Sequence, residues 1–369
     1  MKKRLAIFTH GGIAGGLFSQ GFPPMVNIVN RLSDDYNVDV YTHAPDKPQT
    51  SVRYDIYSAP SWMRSSILRW LGLVWKFVIN NRTRKYDAAL AFWGYPTGLV
   101  LTMTTRIVRV PVAVILLGGE TANVPEIGYG LFRKPFRRKL ILWMCSRVDA
   151  LMTVSERQKK TLVANGVDRR IDVVPWGCDL NIFRPKEQRR GHELRILHVA
   201  NLTEVKDQET LLKAFELIAR EIPATLRIVG GDYLGGKLQA LVAKMECRDK
   251  IEFIGPIPHQ AIVAYYHWAD MFLLTSLSEG QNSSLHEAMC CGCIPVSTDV
   301  GAMDYDFGEQ VGIVVNCRDH QTLSSRVINV YQDSFLWATK RERSVRYARA
   351  HDLEWTVDQI GNVLAQWTK

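Results

Sequence analysis

Short apolar runs rich in β-branched residues recur along this 369-residue chain and alternate with longer segments of helical periodicity. This alternation predicts α/β architecture, because strands that are joined through helices pair in parallel. Twelve runs have strand character: residues 5–9, 38–42, 88–92, 112–116, 150–154 and 171–174 in the first half, and 194–199, 226–229, 251–254, 271–275, 294–298 and 312–315 in the second. Six strands in each half predict two separate, doubly wound sheets.

The length of the chain also favours two domains, since single cores rarely grow beyond about 250 residues. Residues 177–192 are polar, marked by Pro and Gly, and without periodicity, so they are the best candidate for a linker. We therefore expect an N-terminal domain over residues 1–180, a C-terminal domain over 181–345 and a final helix over 346–369.

Charge is unevenly divided along the chain. Residues 1–185 carry 26 Lys and Arg against 13 Asp and Glu, whereas the remaining residues carry 20 against 24. A strongly basic first half joined to a mildly acidic second half predicts that the first domain contacts something anionic.

Composition indicates a soluble globular protein, with 47% apolar and 22% charged residues. The apolar stretch near the start covers only Leu5 to Phe8, so it predicts a first strand better than a secretory signal. No apolar run reaches the ~20 residues that span a bilayer. The seven cysteines are odd in number and lack the two C-x-x-C pairs of a zinc site, which favours reduced thiols in the cytoplasm. We expect Cys290, Cys291 and Cys293 to be buried packing residues rather than metal ligands.

Two glutamates eight positions apart, Glu279 and Glu287, lie on either side of a predicted loop-to-helix transition. Asn282 or Ser283 can cap the helix that follows the loop. A polar ligand could then meet one carboxylate at each end and the unpaired N–H groups of the helix start between them. The alternative is an ordinary capped helix with two solvated acids.

The surrounding segment carries a family resemblance. After the two acids and the helix come a Gly-x-Pro-Val strand, from Gly292 to Val296, and a glycine turn at Gly301. This order resembles the donor-site segment of the retaining glycosyltransferases of family 4. The resemblance extends over residues 150–369 and reaches residues 1–149 mainly through architecture. It implies the GT-B fold, in which two Rossmann-like domains face each other across a cleft and a C-terminal helix crosses back to the first domain.

Lys206 lies in a polar loop directly after the first predicted strand of the second domain. A cation at that edge can stabilise a departing nucleoside diphosphate, which gains negative charge in the transition state. A solvated lysine is the alternative. Members of the family usually carry an arginine five residues before this lysine, and Asn201 stands in its place, which leaves donor affinity and donor type open.

The resemblance also implies roles for individual residues. Lys206 and Glu279 would be catalytic, and the donor would be a nucleoside-diphosphate sugar, used as a co-substrate without any cofactor. The resemblance also implies catalysis without a metal. The implied donor-binding residues are Gly12, Gly15, Gly16, Asn201, Gly280, Gln281, Asn282, Ser283 and Glu287.

Two glycine-rich segments need separate interpretation. The loop from His10 to Gly16 follows the first strand but fits neither G-x-G-x-x-G nor a P-loop; by resemblance it would reach the donor phosphates. Residues 231–237 have P-loop spacing, but Leu238 stands where Ser or Thr must bind magnesium, so an ATPase is rejected.

The acceptor side is less defined. Family members often carry a histidine after the fourth strand of the first domain, where this chain has Leu117. Glu120 takes the position of a nearby acid and is either an acceptor-binding residue or a loop acid. The expected acceptor is a glycan or a lipid-linked molecule.

Two basic helical stretches, residues 62–79 and 132–143, mix Lys and Arg with aromatic residues. Such helices can lie on an anionic membrane surface, and the alternative is that both pack on their own sheet. No nucleic-acid module is recognised, so nucleic acid is not an expected partner. The predicted location is the cytoplasm, with peripheral contact to the membrane.

Taken together, these features predict a retaining glycosyltransferase that acts in cell-surface polysaccharide or glycolipid synthesis. Two alternatives remain open at this level. One is a nucleotide-sugar epimerase of the same fold, and the other is a non-catalytic sugar-nucleotide binding protein, which the missing cation at Asn201 and the missing histidine at Leu117 make conceivable.

Overall fold

The computed structural model describes residues 2–13, 22–44, 52–59, 63, 65–186 and 191–368. The chain divides into two compact units. The first comprises Met1–Asn123, Gly130–Trp176 and Leu353–Lys369, and the second comprises Val124–Tyr129 and Gly177–Asp352. The predicted boundaries were placed after residues 180 and 345.

The first unit contains seven strands and six α-helices among its described residues. The strands are β1 Lys3–Thr9, β2 Tyr36–Thr42, β3 Asp55–Ser58, β4 Ala88–Phe92, β5 Val112–Leu116, β6 Ala150–Thr153 and β7 Asp172–Val173. The helices are α1 Pro23–Asp35, α2 Ser66–Arg84, α3 Leu99–Val108, α4 Pro135–Cys145, α5 Glu156–Ala164 and, from the end of the chain, α13 Leu353–Thr368.

All seven strands pair in parallel in the order β3-β2-β1-β4-β5-β6-β7. The six predicted strands of this half are present, and β3 is an additional edge strand. Its sequence, Asp-Ile-Tyr-Ser, is short and only partly buried, so it lacks the apolar run that would have indicated a strand. An edge strand needs less apolar surface because only one side of it is paired.

The second unit contains six strands and seven α-helices among its described residues. The strands are β8 Leu194–Val199, β9 Ala224–Val229, β10 Ile251–Gly255, β11 Met271–Leu274, β12 Ile294–Thr298 and β13 Ile313–Val315. The helices are α6 Gln208–Glu221, α7 Lys237–Val242, α8 Ile262–Trp268, α9 Ser283–Cys290, α10 Tyr305–Val311, α11 His320–Gln332 and α12 Ser334–Ala350. The sheet is parallel in the order β10-β9-β8-β11-β12-β13, and each strand matches a predicted one.

Central strands of both sheets are buried on both faces, as expected for parallel sheets covered by helices. Strands β4, β5, β11 and β12 are fully buried along their length. Each large apolar side chain removed from water in these layers contributes roughly 1.5–3 kcal/mol. The continuous apolar runs of the sequence are therefore explained by two-sided burial.

The end of the chain returns to the first unit. Leu353, Val357 and Ile360 of α13 are buried in the same apolar cluster as α1, and Arg31 on α1 forms an ion pair with Glu354 at 2.7 Å. Residues 346–350 still belong to α12, so the returning helix begins at Leu353 rather than at residue 346.

The cysteines near α9 are buried, as predicted: Cys290, Cys291 and Cys293 have no exposed surface. Two of the thiols that were expected to be reduced lie against each other. The sulfur atom of Cys290 contacts that of Cys178, 112 residues earlier in the chain, an arrangement that the linear spacing of the cysteines did not indicate.

Candidate functional site

Strand order places two loops of the second unit side by side. In the order β9-β8-β11-β12, the chain leaves β8 towards one side of the sheet and β11 towards the other. At such a switch point the loops after the two strands diverge and leave a crevice at the carboxyl edge of the sheet, where ligands bind. Lys206 follows β8 and Glu279 follows β11, so the topology brings the two predicted catalytic residues to this point.

Hydrogen bonds between the two loops hold the backbone around Lys206. The hydroxyl group of Thr275 donates to the carbonyl oxygens of Lys206 and Asp207, at 3.1 and 2.9 Å. The backbone N–H of Leu277 donates to the carbonyl oxygen of Val205 at 2.8 Å. Asp207 adopts a left-handed conformation with φ 45°, which ends the loop before α6. The position of Lys206 is thus set by the loop after β11.

Lys206 and Glu279 form an ion pair, with 2.5 Å between Nζ and Oε1. The same carboxylate oxygen accepts hydrogen bonds from the hydroxyl group of Ser276 at 2.6 Å and from the side-chain amide of Asn282 at 3.3 Å. The exposed fractions of the Lys206 and Glu279 side chains are 21% and 11%. A half-buried, charge-assisted pair of this kind is stronger than an exposed one and remains within reach of a ligand.

Asn282 caps α9, as predicted. Its side-chain oxygen accepts a hydrogen bond from the N–H of Leu285 at 2.8 Å, and its φ of 77° turns the chain into the helix. Gln281 and Ser283, on either side of it, are half-buried. The helix start, with its partial positive charge, therefore lies directly beside the Lys206–Glu279 pair.

Gly301, in the turn after β12, packs against the loop that carries the acid. A Cβ atom there would lie 2.9 Å from Cβ of Glu279 and 3.0 Å from the carbonyl oxygen of Gly280, and its φ is +59°. A side chain at this position would be strained and would push the loop away. The close packing of Gly301 thus helps to hold the loop that carries Glu279 in place.

Glu287 lies deeper than Glu279, with an exposed fraction of 4%. Its Oε1 lies 2.8 Å from Nε2 of His259, and its Oε2 accepts a hydrogen bond from the hydroxyl group of Tyr266 at 2.8 Å. Burial, with the charge of Glu287, raises the pKa of Tyr266 well above its ordinary value, so this hydroxyl stays a donor. Each carboxylate oxygen can accept a second hydrogen bond, and the predicted contact with a ribose remains a prediction.

Asn201 ties the loop after β8 to the loop after β9. Its side-chain oxygen accepts a hydrogen bond from the N–H of Gly231 at 3.1 Å. A Cβ atom on neighbouring Gly230 would lie 2.0 Å from the carbonyl oxygen of Ala200, so the two loops are in close backbone contact. The amide of Asn201 therefore has a structural partner where the family's arginine would supply a charge.

Behind Lys206, the fully buried His198 on β8 supports the site. Its Nδ1 lies 2.8 Å from the carbonyl oxygen of Leu273 and must donate, so Nε2 accepts from the amide of Gln208 at 3.2 Å. Burial lowers the pKa of His198 to about 4. The ring is neutral near pH 7, and its two hydrogen bonds join β8, β11 and α6.

Sequence reasoning missed His198, His259 and Tyr266. A weak signal exists for the first two, because each histidine lies at or just beyond a strand of a parallel sheet, where ligand-binding residues gather. Tyr266 lies on α8 at a position typical of core packing, and only its hydrogen bond to Glu287 distinguishes it.

In the first unit, Gly12 follows β1 with φ +84°, and a Cβ atom there would lie 2.9 Å from the side chain of Met25. Glycine is therefore required at this turn. Gly15 and Gly16 lie outside the described residues. Beside Gly12, the rings of His10 and His43 stack with centroids 4.9 Å apart, and Trp70 lies 5.0 Å from His43; the sequence did not single out this aromatic group.

Glu120, in the loop after β5, is buried with an exposed fraction of 3%. Its carboxylate accepts hydrogen bonds from the N–H groups of Gly94 at 2.9 Å, Gly118 at 3.0 Å and Leu117 at 3.4 Å. Burial raises the pKa of Glu120, and these N–H groups oppose the shift. Of the two roles considered for this residue, the geometry fits a loop acid that holds two strand-end loops together.

Two family models match the chain. The model described as Glycosyl transferases group 1 matches residues 180–351, and the model described as Glycosyltransferase Family 4 matches residues 25–182. Together they extend from residue 25 to residue 351. The segment that holds Lys206, Glu279 and Glu287 lies within the first of these matches.

Solved structures share the fold along the whole chain. Sucrose-phosphate synthase from Thermosynechococcus elongatus is similar with a TM-score of 0.78 and 18% identity over 99% of both chains. HepE from Anabaena, solved in complex with UDP, is similar with a TM-score of 0.76 and 17% identity over 98% of this chain and 100% of that one. These likenesses confirm the predicted GT-B fold class.

A curated relative matches part of the sequence. The D-inositol 3-phosphate glycosyltransferase of Pseudarthrobacter chlorophenolicus is 30% identical over 161 residues, which is 40% of this chain and 38% of that protein. The chain spans about two fifths of the length of the first curated relatives that it matches.

Proposed function

We propose that this chain, which belongs to the family 4 glycosyltransferases of the GT-B type, transfers a sugar from a nucleoside-diphosphate sugar to a hydroxyl group of an acceptor. The observation that carries the proposal is the Lys206–Glu279 ion pair beside the start of α9. It places one cation, one carboxylate and one helix N-terminus at the carboxyl edge of a parallel sheet, where the donor would lie.

In this reaction the bond between the anomeric carbon and the diphosphate breaks, and the diphosphate leaves with the electron pair. The acceptor oxygen forms the new bond to the same carbon, on the face that the diphosphate leaves, and its proton passes to the departing phosphate oxygen, so the configuration is retained. Lys206 and the N-terminus of α9 would stabilise the charge that develops on the diphosphate. These two positive groups can serve where other transferases use a divalent metal, so we propose metal-independent catalysis.

Glu279 would exchange partners when the donor binds. In this structure its Oε1 is paired with Lys206 at 2.5 Å. Phosphate oxygens would draw the lysine ammonium group towards the diphosphate and leave the carboxylate for hydroxyl groups of the sugar. Gly280, Gln281 and Ser283 would add backbone N–H groups, and Glu287 would accept hydrogen bonds from the ribose.

A donor screen tests the proposal directly. UDP-, GDP- and ADP-sugars are compared for their effect on the melting temperature, starting with UDP-glucose because HepE has been solved with it, and the best binder is then offered glycan and lipid-linked acceptors. We expect one nucleotide class to raise the melting temperature and to give a glycoside with retained configuration. Product from the donor alone would indicate an epimerase, and binding without turnover would indicate a non-catalytic protein.

We also propose that the acceptor is presented at an anionic membrane surface, in polysaccharide or glycolipid synthesis on the cytoplasmic face. Among the described residues, no helix is both long and apolar enough to cross a bilayer. Helix α2 packs on its sheet through Trp70, Leu73 and Phe77. Its opposite side exposes an apolar stripe, which consists of Ile67, Leu68, Leu71, Trp75 and Ile79.

Its members recur every four residues from Ile67 to Ile79, and Ile67, Leu71 and Trp75 are the most exposed, at 72%, 59% and 66%. Such a side of a helix suits the boundary between head groups and acyl chains. Helix α4 adds an exposed Phe136 beside basic residues that would meet anionic head groups. Apolar and basic helices of the first unit thus support peripheral contact.

Vesicle binding separates the two contributions. We expect Ile67→Ser/Leu71→Ser/Trp75→Ser to weaken binding to vesicles of phosphatidylglycerol and phosphatidylcholine at any salt concentration. Charge reversal of Arg133, Arg137 and Arg138 should weaken binding mainly at low salt. The matched control reverses three exposed arginines on α12 of the second unit, Arg343, Arg346 and Arg349. Unchanged binding of both first-unit variants would contradict membrane contact.

A further inference from the structure

Three metal-binding side chains meet in the apolar core of the second unit, away from the ion pair of the proposed donor site. Cys178 comes from the segment that enters this unit, and His286 and Cys290 lie four residues apart on one side of α9. Their exposed fractions are 8%, 4% and 0%. The two sulfur atoms and a ring nitrogen of His286 all lie within 4.8 Å of one another.

The hydrogen bonding of His286 is incomplete in the part of the core that the structure describes. Among the described residues its Nε2 is buried and has no hydrogen-bond partner. Leaving a buried polar atom unpaired is destabilising, so an occupant that satisfies it would be stabilising. Neutral imidazole is the form of histidine that binds metals.

The Cα atoms of Cys178 and Cys290 are 7.5 Å apart. Disulfides usually join Cα atoms that are about 4.4–6.8 Å apart, so a covalent bridge would need the backbone to move closer. Two thiolates that share a tetrahedral zinc ion, with Zn–S bonds of about 2.3 Å, place their sulfurs about 3.7 Å apart. A Cα separation of 7.5 Å, above the disulfide range, therefore fits a shared ion better than a covalent bridge.

Charge also favours a shared cation. Two thiolates and a neutral imidazole carry a net charge of −2, which a divalent ion neutralises, so the occupied cluster would be uncharged in its apolar surroundings. Binding would release one proton from each thiol. Thiolate and imidazole ligands together suit Zn²⁺.

We propose that Cys178, His286 and Cys290 bind one Zn²⁺ ion, with a water molecule as the fourth ligand. The ion would connect the segment that enters the second unit to α9, the helix whose next residue, Glu287, faces His259 and Tyr266. Its role would be to hold this helix, so it is distinct from any metal at the reaction centre.

Metal content is the primary test. The full chain is purified under reducing conditions, loaded with Zn²⁺, desalted and measured by inductively coupled plasma mass spectrometry. We expect about one zinc per chain in the wild type and in the control Cys317→Ser, a cysteine outside the cluster in the same unit. His286→Leu and Cys290→Ser should retain less than a tenth of that amount. Wild-type protein without bound zinc would overturn the proposal.

A second measurement uses the unmodified chain and does not depend on the folding of a variant. Denaturation without reductant but with a chelator, followed by alkylation and mass spectrometry, counts the free thiols. Seven alkylated cysteines would support zinc-bound thiolates, whereas five would indicate a Cys178–Cys290 disulfide and overturn the site. A chelator should also lower the melting temperature of the wild type and leave His286→Leu unchanged.

Discussion

Glu120 and Glu279 are buried or half-buried acids in loops at the carboxyl edges of two parallel sheets, yet their surroundings differ. The carboxylate of Glu120 accepts hydrogen bonds from three backbone N–H groups, and this residue has an exposed fraction of 3%. Glu279 pairs with the ammonium group of Lys206 and with two polar side chains. One carboxylate is surrounded by fixed backbone and the other by side chains that can rearrange.

The difference separates an acid that holds a loop from an acid that can meet a ligand. Backbone N–H groups cannot be withdrawn without unfolding the loop, so replacing Glu120 should affect stability. The Lys206–Glu279 pair can open and exchange partners, so replacing either member should affect function. The experiments below test this division in order of expected effect.

Lys206→Ala should reduce turnover by about 10²-fold or more, because the charge on the departing diphosphate loses its fixed cation. The measurement is kcat with the donor identified by the screen. Lys213→Ala, which removes an exposed pair with Glu209 on α6, should leave kcat unchanged. Full turnover of Lys206→Ala would refute the role of Lys206 in the leaving-group step. The contrast between a structural Glu120 and a functional Lys206–Glu279 pair would then fail.

Acid should destabilise the fold through His198, whose pKa is about 4 in the folded chain and about 6.5 when unfolded. Between these values the unfolded state binds the proton and the native state does not, so the free energy of unfolding falls as pH drops from 6.5 to 4. The contribution of this residue is up to about 3 kcal/mol.

Urea unfolding at several pH values measures this slope. His198→Gln should have a shallower dependence than the wild type, and the difference between the two isolates His198 from other groups that titrate in the window. Equal slopes would show that the histidine behind Lys206 is not held in its neutral form.

Glu120→Ala should lower the free energy of unfolding by about 2 kcal/mol, since the N–H groups of Gly94 and Gly118 lose their acceptor in a buried loop. The control Glu126→Ala removes an exposed acid nearby and should change stability by less than about 0.5 kcal/mol. A stable Glu120→Ala chain with impaired acceptor use would instead favour the acceptor-binding role.

Glu287→Ala should weaken donor binding about tenfold, or about 1.4 kcal/mol, if its carboxylate contacts the ribose. Titration calorimetry with the donor measures the affinity. Glu252→Ala, which removes an exposed acid on β10, is the matched control. If Glu287→Ala binds the donor as tightly as the wild type, Glu287 does not contact the ribose and its role is limited to the contacts with His259 and Tyr266.

The sequence was sufficient for the parts of the molecule that depend on local pattern. Two-sided burial produces continuous apolar runs, so all twelve predicted strands were found. The cap at Asn282 follows from a polar residue before a helical period. Strand order then brings Lys206 to Glu279, once the two halves are assigned to doubly wound sheets.

Contacts that depend on distant segments could not be predicted. Nothing in the spacing of His259 and Glu287 indicates that their side chains meet at 2.8 Å. The sequence left two roles open for Glu120. Its burial and its hydrogen bonds from backbone N–H groups arise only when the loops after two strands come together in the folded chain. The contact between Cys178 and Cys290 joins residues 112 positions apart, beyond the reach of any local motif.

The longer segment of the second unit begins at Gly177 and ends at Asp352, and these two residues touch. A Cβ atom on Gly177 would lie 2.1 Å from the carbonyl group of Asp352. In genetic terms residues 177–352 form an insertion whose ends adjoin, a geometry that tolerates transplantation and circular permutation. A gene segment for residues 177–352 could therefore be exchanged between related chains as a cassette, with residues 124–129 of the same unit matched to it.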